Sequence, residues 1–394
     1  MVQGMKMIGE GSGRRRYDVV VIGLGIMGSA ALAHLARRGI GVLGIDAHGP
    51  AHVLGSSHGQ TRIFRRAYWE GEVFLPLLER AHEGWQELHA ANATGDPVIL
   101  SEGGLFVGSA DSRLVRGARD TASTHGVAHE YLDADDIRRR FPAFHVTDDE
   151  VAILEPGAMM LSAQTARFGY LSQAVRDGAH LTYGRRALSL TSNETSVTIR
   201  GDDWQLSCGS VVVAAGGWAR QLLPRDLSDQ ITPMRIPVFE LPVAAGHESS
   251  HQPGRFPVFL FEDTGGALVY GLPPWRAGGG VRVGFHNRQL SQTDMDAPRQ
   301  PPTNAELHDV WKSVSRLLPG LRPEGSGTAC VYTMTADESF FVARSSEFRN
   351  VAYVSACSGH GFKFAPALGE AMAELVVDGR TSVDISAFAA RTVA

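Results

Sequence analysis

Gly23, Gly25 and Gly28 follow the strand-like run Asp18-Val19-Val20-Val21-Ile22, and Asp46 stands eighteen residues past the last of them. Glycines spaced Gly-x-Gly-x-x-Gly between a strand and a helix suit a pyrophosphate. Gly23 makes the turn, Gly25 lets the backbone touch the ligand, and Gly28 lets helix and strand pack closely. The helix N-terminus offers unpaired N–H groups and a positive dipole end, while Asp46 offers acceptors for ribose hydroxyls. Without context the same residues are an α/β turn with incidental glycines; the order of strand, turn, helix, strand and acid argues for a dinucleotide, whether NAD, NADP or FAD. A second stretch, Gly55-Ser56-Ser57-His58-Gly59-Gln60-Thr61-Arg62-Ile63-Phe64-Arg65, combines glycines and hydroxyls with two cations. Such a loop can wrap a flavin ring, setting backbone groups and a cation beside the part that gains electron density on reduction. The plainer alternative is a solvated basic loop.

These residues need elements to hold them. A strand over 18–22 that reads as fully buried, a helix over 25–38 with small residues toward the sheet, and a strand over 41–45 make one βαβ unit. A β-branched strand over 210–214 runs into Ala215-Gly216-Gly217-Trp218, and another over 351–355 runs into Cys357-Ser358-Gly359-His360-Gly361-Phe362-Lys363 before a helix from about 366 to 377. Alternating apolar and polar residues over 239–286, with Gly and Pro breaks, predict an antiparallel sheet. Nucleotide-type segments therefore enclose other material, and no repeat or low-complexity linker separates them.

The 394 residues suffice for two domains, and 43% apolar with 20% charged residues fits a globular chain, excluding disordered and coiled-coil classes. A net charge of -5 argues against nucleic acid. Glycine, at 45 residues against a usual share of about 7%, points to tight turns and close approaches to a ligand. Arg14-Arg15-Arg16 ahead of the apolar stretch 19–36 imitates a signal or membrane segment, but the three glycines break it and charged residues follow, so 1–16 reads as a flexible leader. Cys208, Cys330 and Cys357 lack Cys-x-x-Cys spacing, so no disulfide framework, zinc knuckle or other metal site is expected and a reducing cytoplasm suits the chain.

At four places (21–28, 55–68, 330–337 and 358–370) the sequence resembles the monomeric sarcosine oxidase and N-methyltryptophan oxidase family, flavin enzymes of the D-amino acid oxidase superfamily. The resemblance runs from Tyr17 to about Gly379 and is vague over 87–155. It implies FAD, bound covalently through a thioether from Cys330; read alone, Cys330 is a small buried hydrophobe. It implies that Arg65 and Lys363 hold a substrate carboxylate, which needs charge compensation and fixed donors in a dry site; either cation could instead serve a structural ion pair. Ser57, His58, Thr61 and Arg62 match positions around the flavin, Gly359 and Gly361 let backbone approach the ring, and Tyr270 and His286 border the substrate. His286 could equally be a core histidine. One position departs: where the family has a lysine that promotes reaction with oxygen, this chain has Arg282.

The resulting expectation is an α/β (α+β two-domain) enzyme, a Rossmann-like FAD-binding domain over 17–90, 155–235 and 325–394 with an interleaved mixed β-sheet substrate domain over 91–154 and 236–324. It would be a cytoplasmic monomer, without nucleic-acid or membrane partners, oxidising the C–N bond of an amino acid with a secondary amine and passing electrons to molecular oxygen. Alternatives are a dehydrogenase of a cyclic imino acid with another acceptor, and a non-catalytic flavoprotein subunit.

Overall fold

The computed structural model describes residues 6–7, 16–92, 95–276, 278–286 and 288–389. Of the expected leader, only Lys6–Met7, paired parallel with Trp204 and Gln205, and Arg16 fall among them.

The βαβ unit forms as the apolar pattern predicts: strand Tyr17–Ile22, helix Ile26–Arg37, strand Val42–Asp46. Alternate strand residues serve opposite faces. Val19 and Val21 pack under helices, while Val20 and Ile22 join a separate cluster with Leu206 and Ile199. The helix carries alanines because its neighbours come close: a Cβ on Gly369 of the Ala365–Asp378 helix would lie 2.5 Å from Ala30 Cβ. Tyr17–Ile22 is flanked in parallel by Val42–Asp46 and by Trp204–Val213, and the latter pairs in parallel with Val351–Ser355. His180–Tyr183 and antiparallel Phe341–Arg344 complete the path of a nine-stranded sheet.

A ten-stranded, mostly antiparallel sheet forms the second layer. Its strands Thr232–Leu241, Val258–Glu262, Leu268–Leu272 and Val281–Phe285 fulfil the alternation over 239–286, and Ile99–Ser109 and Glu150–Ser162 extend it. Thr61–Phe64 and Ser326–Met334, within stretches expected beside the dinucleotide half, hydrogen-bond to this second sheet. The 55–65 stretch and the Cys330 strand are thus carried by the layer opposite the glycine turn. No helix among the described residues is long and apolar enough to cross a membrane.

Candidate active site

One cavity between the sheets is lined by every candidate cofactor or substrate residue named above except Gly28. Gly28 sits behind the turn, where a Cβ would fall 1.8 Å from Gly23 O. Gly28→Ala must therefore push helix from strand, an overpacking that costs about 1–3 kcal/mol. Thermal unfolding should show the loss; a variant melting with wild type would mean that the turn has slack.

At the dinucleotide end, Gly23 turns at φ +92°, and a Cβ on it would meet Ala214 O at 2.6 Å. Asp46 closes the strand with both oxygens on backbone: Oδ2 accepts Leu24 N–H and Oδ1 accepts His48 N–H, each at 2.8 Å. It thereby fixes the turn while each oxygen keeps a second lone pair for a ligand. Ser57 Oγ accepts Ile26 N–H at 2.9 Å, tying the 55–62 loop to the helix start.

Further along, Arg62 is half-buried and spends its donors on the carbonyls of Ser56, His58 and Thr61, over the face of Phe362. His58 Nδ1 lies 2.5 Å from Gly55 O. A carbonyl only accepts, so Nδ1 carries the proton and Nε2 turns its lone pair to Cys330 Sγ at 3.7 Å. Arg282 Nη2 stands 3.9 Å from the same sulfur, and its Nη1 donates to Thr61 O at 3.3 Å. Burial opposes ionisation of Cys330, but His58, Arg282 and Arg62 outweigh it and bring the thiol to about 6. Cys208, buried with no such neighbours, is pushed up to about 12. Tyr270 pairs with Tyr332 and is held neutral by burial; Gly284, its cross-strand partner, leaves room for its ring.

At the far end, the buried Arg65 guanidinium forms an ion pair with Glu70 and stacks over Tyr68, 4.5 Å from the ring centroid. Burial opposes ionisation of Glu70, yet Arg65, Lys363 and nearby histidines bring its carboxyl down to about 2. Glu70 Oε2 is buried without a partner among the described residues. Lys363 is buried too; burial first, and Arg65 second, lower its ammonium to about 7. Trp85 holds this turn by donating Nε1 to Lys363 O at 2.8 Å and stacking on Phe362. His286 is lowered to about 4, chiefly by burial, and is a neutral imidazole set edge-on to Trp69.

Three further residues shape the site. Glu155, fully buried, accepts the N–H groups of Arg66 and Ala67 and so fixes the backbone that aims Arg65. Tyr332 lies two residues past Cys330, hence on the same strand face, a signal the sequence held. Glu70 had no such signal, because four residues of irregular chain lie between it and Arg65.

The donor set fits a dinucleotide bearing a redox ring. The glycine turn faces one end, Thr333 Oγ1 lines the cavity without a partner among the described residues, and an acidified thiol points inward with two cations beside it.

Residues 18–375 match the family model described as FAD dependent oxidoreductase. The chain is 36% identical over 382 residues to monomeric sarcosine oxidase of Streptomyces avermitilis, covering 96% of this chain and 98% of that protein. It is 34% identical over 376 residues to N-methyl-L-tryptophan oxidase of Yersinia pestis, covering 94% and 98%. Among solved structures it resembles NikD, an unusual amino acid oxidase essential for nikkomycin biosynthesis, in open form: TM-score 0.82 with 23% identity, over 96% of this chain and 98% of that one, a likeness of fold.

Proposed function

The chain belongs to the FAD dependent oxidoreductase family, and from that premise we propose that it oxidises the C–N bond of a secondary or N-methyl amino acid to an imine. Oxygen is the acceptor in this reading, and hydrogen peroxide the second product, following two relatives named as oxidases. The observation that carries it is the pair of buried cations, Arg65 and Lys363, in the same cavity as the glycine turn and Cys330. Bound there, FAD would supply the acceptor for the hydride leaving the carbon beside nitrogen, held by the glycine turn, Asp46, the 56–62 loop, Gly359, Gly361 and a thioether to Cys330.

The chain's own groups do the rest. Arg65 offers a planar fork to the carboxylate and Lys363 a compact charge. Tyr270 and His286, both uncharged, wall the cavity without adding a competing ion. No strongly basic group is needed, because the amine need only enter neutral, and two cations disfavour its protonated form. The imine then hydrolyses in water. The three free cysteines suit a reducing cytoplasm, and the monomeric relative suggests a monomer.

Mixing the flavin-loaded protein without oxygen with sarcosine, N-methyltryptophan, proline and pipecolate should bleach the flavin with at least one of them. A flavin that stays oxidised with every secondary amine would reject the reading.

Arg282 supports a second reading, electron transfer to another acceptor from a cyclic imino acid. Its guanidinium spreads charge that lysine would concentrate, and it is drawn toward Thr61 O and Cys330. We propose that it supports oxygen turnover less well than the family lysine. Arg282→Lys should raise turnover with oxygen and Arg282→Met lower it, with dye-linked turnover unchanged. Equal oxygen turnover in all three would move that role elsewhere, with Lys363 first to test.

A further inference from the structure

Tyr68 is fully buried and lies just behind the cavity wall, outside the set of residues that line it. Its phenol oxygen is 2.6 Å from His360 Nδ1, and His360 Nε2 is 2.9 Å from Glu338 O. These contacts fix the direction of every proton. Glu338 O can only accept, so His360 Nε2 carries hydrogen and Nδ1 presents a lone pair. Tyr68 must then donate to Nδ1, which turns its own lone pairs toward Lys363 Nζ, 3.5 Å away. Lys363 Nζ also donates to His360 O at 2.8 Å. The same phenol ring lies under both cations, with Arg65 Cζ 4.5 Å and Lys363 Nζ 5.1 Å from its centroid. Arg65 and Lys363 come from segments about 300 residues apart, and the Tyr68 side chain touches both.

We propose that Tyr68, oriented by His360, is the positioning residue of the carboxylate site, setting Lys363 against Arg65 and accepting from the Lys363 ammonium. The proposal rests on the reading of those two cations as the carboxylate's holders. The charged and titratable groups facing Lys363 are Arg65, Glu70, His360 and His286 besides Tyr68. Burial lowers His360 to about 3 and His286 to about 4, so neither titrates with Lys363 near 7. Glu70, at about 2, stays anionic throughout. Between pH 6 and 9 Lys363 is then the group among them that changes charge.

The test is binding of acetate and of benzoate to the flavin-loaded protein, followed by the flavin's visible absorbance, from pH 5.5 to 9. Wild type should bind both and lose affinity as pH rises through about 7, where Lys363 gives up its proton. Tyr68→Phe keeps the ring and removes the acceptor. The ammonium then becomes less stable, and affinity should fall at a pH lower by about half a unit to one unit, with little change below that fall. Tyr68→Leu removes the ring as well and should weaken binding about tenfold or more at every pH. Flavin content and melting temperature of Tyr68→Phe report whether the fold survives, and a merely structural role would leave its pH profile on that of wild type. That superposition overturns the proposal. Wild type that binds neither carboxylate at any pH overturns both the proposal and the carboxylate reading beneath it, whereas a shifted Tyr68→Phe profile supports both.

Discussion

Arg65→Met should cost about 3–5 kcal/mol of stability, the penalty for removing one partner of a buried ion pair and leaving the other uncompensated. Glu70 is the stranded group. Its side chain is 7% exposed and its second oxygen has no partner among the described residues, so Arg65 is the main opponent of its desolvation. In wild type the folded carboxyl lies near 2, below its unfolded value of about 4.3. Its contribution is therefore present above that unfolded value and lost as pH falls toward 2. Without Arg65 the sign reverses: the folded carboxyl rises, and the variant loses stability as pH rises through it. Urea unfolding at pH 4 and pH 8 should show Arg65→Met relatively better off in acid. Arg65→Met with Glu70→Gln should recover much of the stability while leaving carboxylate binding weak, by about 1.5–3 kcal/mol. A double variant as unstable as the single would mean that Arg65 acts through packing on Tyr68 and Phe106 and not through Glu70.

Cys330→Ser carries an all-or-none expectation. Acid-precipitated wild type should retain yellow flavin in the pellet, and the variant should release all of it; release from wild type ends the case for a thioether. The supporting chemistry is measurable on protein made in riboflavin-starved cells. A thiol near 6 is mostly thiolate at pH 7, where an ordinary one is a few per cent ionised. Nucleophilicity falls with basicity, so the alkylation rate at pH 7 rises little; the pH midpoint is the discriminating quantity. Iodoacetamide labelling that depends on Cys330 should reach half its maximum near pH 6. His58→Asn should move that midpoint up toward about 8.5, because the lone pair at 3.7 Å is gone. Cys357, less buried than Cys208, is corrected for by subtracting labelling of the Cys330→Ser protein.

What the sequence made legible was whatever periodicity or local turn chemistry encodes. The βαβ unit, the alternation over 239–286 and the strand at 351–355 were all readable, because each is a short apolar run, an alternation or a helical repeat with turn residues close by. The roles of Cys330, Arg65 and Lys363 entered through resemblance and not through spacing. Hidden from both were contacts made across the fold. Glu155 reaches Arg66 across 89 positions, and Tyr68 reaches His360 across 292, with no local pattern marking either end. The placement of 61–64 and 326–334 in the second sheet was hidden for the same reason. Partners at a sheet edge are chosen by long-range pairing, and nothing local in Thr61-Arg62-Ile63-Phe64 or in 326–334 marks which sheet takes it.

The interleaving of the two sheets also has a consequence during synthesis. Tyr17–Ile22 is flanked by Trp204–Val213, which waits in turn for Val351–Ser355. Gly23 and Lys363 are 340 positions apart, so a ribosome adding about 5–20 residues per second takes roughly 15–70 s to deliver both ends of the cavity. Until then the nascent chain exposes unpaired strand edges that invite association with other chains. Cofactor supplied early in that interval meets a cavity whose far half, Ser326–Met334 and the 359–363 turn, has yet to emerge. Chaperone holding, and not flavin abundance, should then set the yield of active protein over most of the time the chain spends on the ribosome.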